Sequence, residues 1–400
     1  MTTYDAVVVG ARCAGSVVSG LLARAGWKVL VVDKARFPSD TISTHAIFPN
    51  TLARFESLGI LERLHGRHEI PYFFLRWRII GYELGGPYTP VGGHELGSSI
   101  RRVALDSVLV DWAKDSGAEV RQGAAVRALI GTGADNDPVK GVVLETGEEI
   151  ATPLVIGADG RASKVARLLE LEDKKPMAGD MSYLFAYWRG LPRAEFGTLE
   201  VNDRQEALMR NPCEDGIDIL SVAGPADMTR GSHSDREARY RKGLQTFPES
   251  VALGLLDRAE RVSDLVVVPE RMMRGYFRKS NGPGWVLIGD AGHFKHPGTA
   301  QGISDAVEQA VFVADSVTGS DPKLSGFHDW RKDRSEGHYE WSFTYGSWPI
   351  PAVAGPYLSG LSSDADAKQD WVDTFTRTKS PSDVNTPERL ERWFSSPAGS

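Results

Sequence analysis

The chain has 400 residues, 41% of them hydrophobic, enough for about two or three structural units and too many for an intrinsically disordered chain. The formal net charge of -7, from 46 Lys and Arg against 53 Asp and Glu, argues against a nucleic-acid-binding protein. Apolar runs are shorter than the roughly 18 residues of a membrane span, and 2 cysteines exclude a disulfide-stapled secreted scaffold. We expect a soluble, cytoplasmic protein.

The first elements form a βαβ unit. Asp5–Val9 is a predicted strand, an amphipathic helix follows, and Lys28–Asp33 is the second strand. The turn between strand and helix reads GARCAG, from Gly10 to Gly15, and such a turn leaves free N–H groups for a pyrophosphate. Asp33 can accept hydrogen bonds from a ribose. The unit predicts a dinucleotide site without choosing between nicotinamide and flavin.

The middle of the chain alternates between this αβ pattern and strand-rich stretches. A helix is predicted from about 50 to 64 and another over 105–116, because their apolar residues recur at helical spacing. Residues 70–99 and 174–278 are rich in strands instead, with one helical stretch near 235–246. This interleaving predicts two layers with a ligand-binding cleft between them.

Two further apolar strands indicate which dinucleotide binds. Leu154–Ala158 and Trp285–Ile288 are followed by Asp159 and Asp290, and carboxylates at the ends of parallel strands are well placed to bind ligand hydroxyls. A long helix begins near Ala300, and its N-terminal dipole would stabilise the negative charge of a reduced flavin. A simple nicotinamide dehydrogenase has no need of this element, so the pattern favours a flavin.

Three motifs in this order resemble the class A FAD-dependent monooxygenases of the p-hydroxybenzoate hydroxylase type. They are GARCAG with Asp33, IGADGRASKVARLL, and IGDAGHFKHPGTAQGISDA. The resemblance implies an α/β fold: a Rossmann-like, glutathione-reductase-type FAD-binding domain, an interleaved strand-rich substrate domain and a small helical C-terminal cap. We expect the FAD-binding domain over residues 1–70, 100–173 and 279–320, the substrate domain over 71–99 and 174–278, and a helical cap with a loose tail over 321–400.

The resemblance also implies the residues that hold FAD. Asp33 would bind the adenosine ribose, Asp290 the ribityl chain, and Arg102 the phosphate or ribityl region. Asp159 belongs to a motif that the family ties both to FAD and to the nicotinamide donor. The predicted cofactor-binding residues are Gly10, Cys13, Ala14, Gly15, Asp33, Lys34, His45, Arg102, Val126, Asp159, Asp290, Pro297, Ala300, Gln301, Gly302 and Ile303.

Three histidines lie in segments that the resemblance brings to the flavin. His45, in THAIFPN, is expected as a neighbour of the flavin ring, and no catalytic role is assigned to it. His293 and His296 are either active-site polar groups or plain loop residues. Because no third ligand stands at metal-binding spacing, we predict no metal.

Aromatic residues in the strand-rich stretches are candidates for a substrate pocket, although packing on a sheet face explains them equally well. The late segment YEWSFTYGSWP is interpreted as packing the cap onto the first domain rather than covering the cleft. The candidate pocket residues are Trp77, Tyr183, Phe185, Tyr187 and Trp188.

The activity implied by the resemblance is monooxygenation in secondary metabolism. NADH or NADPH, bound transiently, would reduce FAD; the reduced flavin would form a flavin hydroperoxide with O2. One oxygen atom would pass to an aromatic or other hydrophobic small molecule. The chain has no second G-x-G-x-x-G βαβ unit for the donor. That fits a transient donor, and it fits equally a separate flavin reductase as partner.

Three alternatives remain open. A reductase of the geranylgeranyl type shares this fold and needs no O2, and the GARCAG turn does not separate it from a monooxygenase. A flavin-dependent halogenase would carry WxWxIP, which the nearest segment, Trp348–Pro351, does not match. A non-catalytic binding protein on the same fold has no reason to keep Asp33, Asp290 and the glycine loop together. The loop PGTAQG also departs from the usual Pro-x-Gly-Gly-Gln-Gly, which indicates a separate branch of the superfamily.

Overall fold

The computed structural model describes residues 2–247 and 256–395 of the chain. Its strands are, in chain order, β1 (Thr2–Thr3), β2 (Ala6–Val9), β3 (Val29–Asp33), β4 (Ala46–Ile47), β5 (Phe74–Ile79), β6 (Tyr82–Gly86), β7 (Ser98–Ser99), β8 (Glu119–Gln122), β9 (Val126–Ile130), β10 (Gly141–Leu144), β11 (Glu149–Ala151), β12 (Val155–Gly157), β13 (Lys174–Met177), β14 (Met181–Arg189), β15 (Phe196–Val201), β16 (Ala207–Pro212), β17 (Ile217–Pro225), β18 (Glu260–Arg261), β19 (Val266–Val268), β20 (Gly275–Phe277), β21 (Asn281–Gly282), β22 (Trp285–Leu287) and β23 (His293–Phe294).

The helices of the described residues are numbered in the same chain order. They are α1 (Cys13–Arg24), α2 (Pro49–Ser57), α3 (Ile60–His65), α4 (Arg102–Asp115), α5 (Lys164–Leu168), α6 (His233–Thr246), α7 (Gly302–Thr318), α8 (Phe327–Thr344), α9 (Ala354–Ser363), α10 (Ala365–Asp373), α11 (Pro381–Val384) and α12 (Pro387–Ser395).

A six-stranded sheet brings the three cofactor motifs together. Its order is β21-β22-β12-β2-β3-β8, parallel except for the edge strand β21. The strands come from three distant stretches of the chain, yet parallel strands end at the same edge of a sheet. Gly10, Asp33, Asp159 and Asp290 therefore all lie at that edge, directly at or after the ends of β2, β3, β12 and β22.

Both faces of this sheet are covered, so its strands are buried and read as continuous apolar runs. Val8 packs into the core formed with helices α1, α4 and α7, whereas its neighbours Val7 and Val9 pack into a second core. That second core lies under a sheet of order β1-β11-β10-β9. Successive side chains point to opposite faces of a strand, which explains this division.

The strand-rich stretches form a separate sheet of order β18-β14-β17-β16-β15-β5-β6, with β19 also pairing with β14. Helix α6 covers one face, where Tyr240 and Leu244 pack on Leu184 and Leu220. The opposite face carries Trp77, which packs against the C-terminal helices. This sheet faces the cofactor motifs across a cleft.

Two predictions about helices need correction. The helix expected from about 50 to 64 is two helices, α2 and α3, because Gly59 adopts a left-handed conformation between them (φ 73°). Residues 321–400 were expected to form a helical cap with a loose tail; helices α8 to α12 confirm the cap, and they continue as far as Ser395, where a tail was expected. Trp371 and Phe375 are fully buried there, and each short helix contributes so few large apolar residues that the sequence pattern is weak. Residues 396–400 of that tail lie outside the described residues.

Candidate cofactor and substrate site

A cavity of about 1440 Å³ opens at the carboxyl edge of the six-stranded sheet. It continues between the strand-rich sheet and the C-terminal helices. Its volume exceeds the roughly 300–1,000 Å³ of an ordinary small-molecule pocket, so it has room for two ligands side by side.

The glycine turn after β2 is built for close approach. Gly10 has a φ of 103°, and a Cβ atom there would lie 2.4 Å from the carbonyl oxygen of Ala158. A Cβ on Gly15 would lie 1.8 Å from the carbonyl oxygen of Gly10. Arg12, the residue before α1, makes no side-chain cap, so this helix start is left to a ligand. Gly10, Cys13 and Ala14 line the cavity, whereas Gly15 packs beneath the turn.

Cys13 is a packing residue in this turn. It is buried, and burial raises the pKa of its thiol to about 12, so the thiolate is scarce at neutral pH. Its Sγ lies 3.5 Å from Asp106 Oδ1. The buried, neutral thiol therefore packs at the turn beside Asp106.

Asp33 fastens the glycine turn to the second strand. Its Oδ2 accepts a hydrogen bond from the Ala11 N–H and its Oδ1 accepts one from the Ala35 N–H, both at 2.7 Å. Each carboxylate oxygen still has a free lone pair, because an ionised carboxylate has about four acceptor positions. Asp33 and the neighbouring Lys34 line the cavity, as does Val126 at the start of β9.

Asp106 organises two arginines at the cavity, a role that sequence reasoning missed. It is fully buried on α4, with Oδ1 2.9 Å from Arg102 Nη2 and Oδ2 2.5 Å from Arg12 Nη1. Both arginines line the cavity. The four-residue spacing of Arg102 and Asp106 on a helix is the sequence feature that indicates this pair.

Two further aspartates present carboxylates to the cavity. Asp159 Oδ2 accepts hydrogen bonds from the Lys164 and Val165 N–H groups, whereas its Oδ1 is buried without a hydrogen-bond partner. Burial raises the pKa of Asp290 to about 6, although the nearby Arg161 and Arg102 oppose that rise. Both lining residues are therefore acceptors held for a ligand hydroxyl or N–H group.

The loop after Asp290 ends at the start of the 17-residue helix α7. Ala300 is held in a left-handed conformation (φ 53°) by a short turn over Pro297–Thr299. Gln301 precedes α7 but does not cap it, because its side-chain N–H donates to the Thr374 carbonyl at 2.7 Å. The cavity-lining residues of this loop include Pro297, Ala300, Gln301, Gly302 and Ile303.

A buried ionic cluster underlies this loop. Lys295 Nζ lies 2.6 Å from Asp305 Oδ2, and Arg377 forms an ion pair with Asp305 Oδ1. Burial lowers the pKa of Lys295 to about 8, and the neighbouring Arg377 adds to that fall. Burial would raise the pKa of Asp305, but Arg377 and Lys295 outweigh it and hold that pKa well below its usual value. Below about pH 8, two cations thus face one carboxylate beside the cavity.

The predicted histidines are buried and neutral. Burial lowers the pKa of His293 to about 4 and that of His296 to about 4; both line the cavity. His293 stacks on Phe277 and its Nδ1 lies 3.3 Å from Gln309 Nε2. The structure does not bring His45 to the cavity lining: its Nε2 lies 2.7 Å from the hydroxyl of Tyr187, away from the lining positions.

Three of the five predicted substrate-pocket aromatics line the cavity. They are Tyr183 and Phe185 on β14 and Trp77 on β5. Strand alternation places Trp188 on the opposite face of β14, where it donates a hydrogen bond to the hydroxyl of Tyr240 on α6. Tyr187 lies on the same face as Phe185 but contacts His45 instead of the cavity.

The interpretation of the late aromatic segment is also corrected. Trp341 and Tyr345 on and just after α8, together with Trp348, line the cavity as well as packing the C-terminal helices. Trp77 meets Tyr345 edge-on, with ring centroids 5.7 Å apart. The wall opposite the strand-rich sheet is therefore made by the C-terminal region.

Within residues 2–247 and 256–395, no group of three or more His, Cys, Asp or Glu side chains is arranged to hold a metal ion. Nor does any helix in those ranges have the length and hydropathy to cross a membrane.

These residues fit a flavin dinucleotide. Gly10 and Gly15 let the turn follow a tight path to the uncapped start of α1, whose N–H groups can bind a pyrophosphate. The orphaned Asp159 Oδ1 is a buried acceptor without a protein partner. The start of α7 and the Lys295 cation supply positive potential at another part of the cavity wall, away from the glycine turn. A long, polar cofactor with an anionic middle matches this distribution.

Comparison with known proteins agrees with that match. A family model described as "FAD binding domain" matches residues 3–319, well over half of the chain. The chain therefore belongs to this family, within the class A FAD-dependent monooxygenase family that its motifs resemble, and is an FAD-dependent oxidoreductase. The predicted fold class and FAD as the cofactor are confirmed.

The relatives act in different ways. The chain is 27% identical to menaquinone reductase of Mycolicibacterium smegmatis over 335 residues, 79% of this chain and 77% of that one. It is 26% identical to rifampicin monooxygenase of Streptomyces venezuelae over 324 residues, 77% and 62% of the two chains. The structure of the flavin-dependent brominase Bmp2 matches with a TM-score of 0.77 at 19% identity, covering 98% and 100% of the two chains. This last likeness shows the fold alone.

Proposed function

We propose that this protein is a monooxygenase that inserts one atom of O2 into an aromatic or other hydrophobic small molecule, with NADH or NADPH as the electron donor. One observation carries the proposal: the charged, FAD-fitting end of the cavity is continuous with an aromatic-lined chamber. Bound FAD supplies hydride acceptance and the reaction with O2. The chain's own residues must hold it, place the substrate and exclude water.

The charged residues would hold the cofactor. Asp33, Asp159 and Asp290 offer carboxylates for its hydroxyl groups, and Arg102 is kept in place by Asp106. At the α7 start, Lys295 is set by Asp305 and by the Gln301 side-chain oxygen, which accepts from Lys295 Nζ at 3.2 Å. A buried cation there stabilises negative charge in a medium that screens it poorly.

The aromatic residues would place the substrate and keep it dry. Trp77, Phe185 and Trp341 line the chamber and are each at most 7% exposed, so they provide apolar walls with little access to water. Exclusion of water protects reactive intermediates from hydrolysis or premature decay. Flat side chains on two facing walls suit a flat, apolar substrate.

Labelled oxygen tests this function. The FAD-loaded protein is given NADPH or NADH and a panel of hydrophobic phenols under isotopically labelled O2, and the products are weighed by mass spectrometry. The proposal expects one labelled oxygen atom in the product, together with donor oxidation that the substrate accelerates. If the donor is oxidised only when a flavin reductase is added, oxygen insertion still stands, but reduced flavin then comes from a partner enzyme and not from direct reaction with NADH or NADPH.

A second candidate is reduction of a quinone or a carbon–carbon double bond, favoured by the similarity to menaquinone reductase over 79% of the chain. This reaction needs the same cofactor end and the same apolar chamber, but it needs no O2. Anaerobic turnover of the donor with a naphthoquinone, giving a product without new oxygen, would favour this second function and contradict the first.

A further inference from the structure

Exposed large apolar side chains among the described residues all line one cavity. Three such side chains are exposed: Ile42 at 39%, Val353 at 62% and Phe394 at 48%. All three line the same cavity. Scattered exposed hydrophobic residues need no explanation, but apolar side chains gathered at the rim of one cavity mark a place where apolar ligands enter or leave.

The rim residues lie in two different regions. Ile42 belongs to the loop between β3 and β4, beside the cofactor end of the cavity. Val353 immediately precedes α9, and Phe394 lies on α12, so these two mark the far end. The cavity therefore reaches the surface at the far end, away from the glycine turn.

The opening at the far end of the cavity, between Val353 and Phe394, is called the far mouth. Tertiary contacts fix the helices around it. Trp393, next to Phe394, is buried against Gly360 of α9, where an added Cβ would lie 2.2 Å from its ring. Its ring also meets that of Tyr357 edge-on, at a centroid distance of 5.5 Å. An ion pair from Arg389 to Asp370, 2.8 Å long, ties α12 to α10. Val353 and Phe394 thus lie at an opening whose surrounding helices are fixed by these contacts.

The chamber behind this mouth holds no charge among the described residues. Every Asp, Glu, Lys and Arg that lines the cavity belongs to the segments 12–34, 102, 145–167 and 290–305, which form the cofactor end. The lining residues from the strand-rich sheet and from residues 341–394 are apolar, aromatic or uncharged polar ones. An ionised carboxylate placed there would lose its water without gaining a partner.

We infer that the substrate is an uncharged molecule with a reactive ring and a hydrocarbon tail, and that the tail leaves the cavity between Val353 and Phe394. The position of the ring rests on the proposed function, because the ring must lie at the cofactor end to react. The apolar walls select against substrates that carry a carboxylate. The mouth admits tails longer than the chamber, so chain length is not limited by the cavity volume.

A series of probes of increasing chain length tests this inference. Binding of 4-alkylphenols from propyl to nonyl to the FAD-loaded protein is measured by calorimetry, beside ω-(4-hydroxyphenyl)alkanoates whose chains end inside the chamber. The dissociation constant should fall about three- to fourfold for each added methylene that stays inside the chamber, as burial of a CH2 group predicts, and should level off once the tail passes the mouth. Each carboxylate-bearing probe should bind at least about tenfold more weakly than the alkylphenol of the same length. Carboxylates that bind as well as the alkylphenols, or no dependence on chain length, would overturn the inference.

Two substitutions locate the tail. Phe394→Glu and Val353→Glu should weaken binding of 4-nonylphenol about tenfold or more and leave 4-propylphenol within about twofold. Phe394→Leu, which keeps an apolar rim, should behave like the parent protein. Equal losses for short and long probes would contradict the exit of the tail at this mouth. Undiminished FAD content of each variant shows that folding is intact.

The binding and turnover assays separate the two proposals. If binding depends on chain length but labelled oxygen never enters a product, the inference stands and the monooxygenase function fails. If oxygen enters short phenols while chain length has no effect on affinity, the function stands and the hydrocarbon tail is refuted.

Discussion

The two ends of the cavity are built from different interactions. At the cofactor end, buried charges are fixed in pairs and triads, such as Asp106 with Arg12 and Arg102. At the far end, aromatic rings meet edge-on; Trp77 contacts both Trp371 and Phe375, with ring centroids 5.2 and 5.5 Å apart. Paired charges fix the position of a polar ligand, whereas apolar walls admit ligands of varied length. On the proposed function, one end would fix the position of the cofactor and the other would admit substrates of varied length.

Substitution at the glycine turn should have the largest effect, and it should fall on the cofactor end alone. In Gly10→Ala, the new methyl group would lie 2.4 Å from the Ala158 carbonyl oxygen, so the turn must shift and FAD binding should be lost. Flavin content after purification and the melting temperature measure this.

Gly26→Ala is the matched control for that variant. Gly26 also has a positive φ, 88°, but an added Cβ meets nothing within 4 Å. Both variants carry the backbone strain of about 1–2 kcal/mol that a left-handed conformation costs. If Gly26→Ala lost as much flavin as Gly10→Ala, the close approach at the turn would not be the cause.

Loss of a single carboxylate should follow in size. Asp290→Ala removes a buried acceptor and should weaken FAD binding by roughly 1.5–3 kcal/mol, the range for a hydrogen bond to a charged group. Asp315→Ala changes an exposed carboxylate on α7 and should leave FAD affinity unchanged. Equilibrium titration of the flavin-free proteins with FAD compares the two, and equal affinities would contradict the role given to Asp290.

Lys295→Met should change the cofactor's electrochemistry more than its retention. Without the Lys295 cation, Arg377 is the remaining cation beside Asp305 and the pair is neutral, so negative charge on a reduced flavin loses a stabilising partner. We expect the reduction potential to fall by roughly 30 mV, about 1.4 kcal/mol for two electrons. Lys295→Arg should retain most of the parent potential.

The pH dependence of that potential sharpens this prediction. Because burial lowers the pKa of Lys295 to about 8, the difference between the parent and Lys295→Met should shrink as the pH rises above 8. Spectroscopic potentiometry at pH 7 and 9 checks this. A difference that stays constant over this range would assign the effect to packing and not to charge.

The last prediction concerns the stability of the fold in acid and not the cofactor. Burial lowers the pKa values of His45, His293 and His296 to about 3, 4 and 4, below the usual 6.5 of the unfolded chain. A lowered folded-state pKa gives stability that is present above pH 6.5 and is lost as the pH falls towards 4. The free energy of unfolding should therefore decline from pH 7 to 5. His296→Gln should make that decline less steep by up to about 1.4 kcal/mol per pH unit.

Much of the cofactor end could be predicted from the sequence, because local motifs specify it. Gly10, Asp33, Asp159 and Asp290 stand at strand ends that the apolar runs mark clearly, and all of them line one cavity. The four-residue spacing of Arg102 and Asp106 could have indicated half of the role of Asp106, but its pairing with Arg12, 94 residues away, is set by how α1 and α4 pack.

The far end could not be predicted in the same way, because side chains from separate layers form it. Trp188 and Phe185 are close in sequence, yet strand alternation sends them to opposite faces of β14. Trp341 and Tyr345 reach the cavity from the C-terminal region, which contacts of Arg377 and Gln301 tie to the start of α7. Such contacts join residues far apart in the chain and leave no local pattern.

The absorbance spectrum of the bound flavin during titration with 4-nonylphenol tests most directly whether one cavity holds both cofactor and substrate. If the ring lies at the cofactor end, the flavin bands should shift and saturate with the dissociation constant that calorimetry gives. In Phe394→Glu, the same shift should require at least about tenfold more probe. Binding that calorimetry detects but that leaves the flavin spectrum unchanged would contradict a shared cavity.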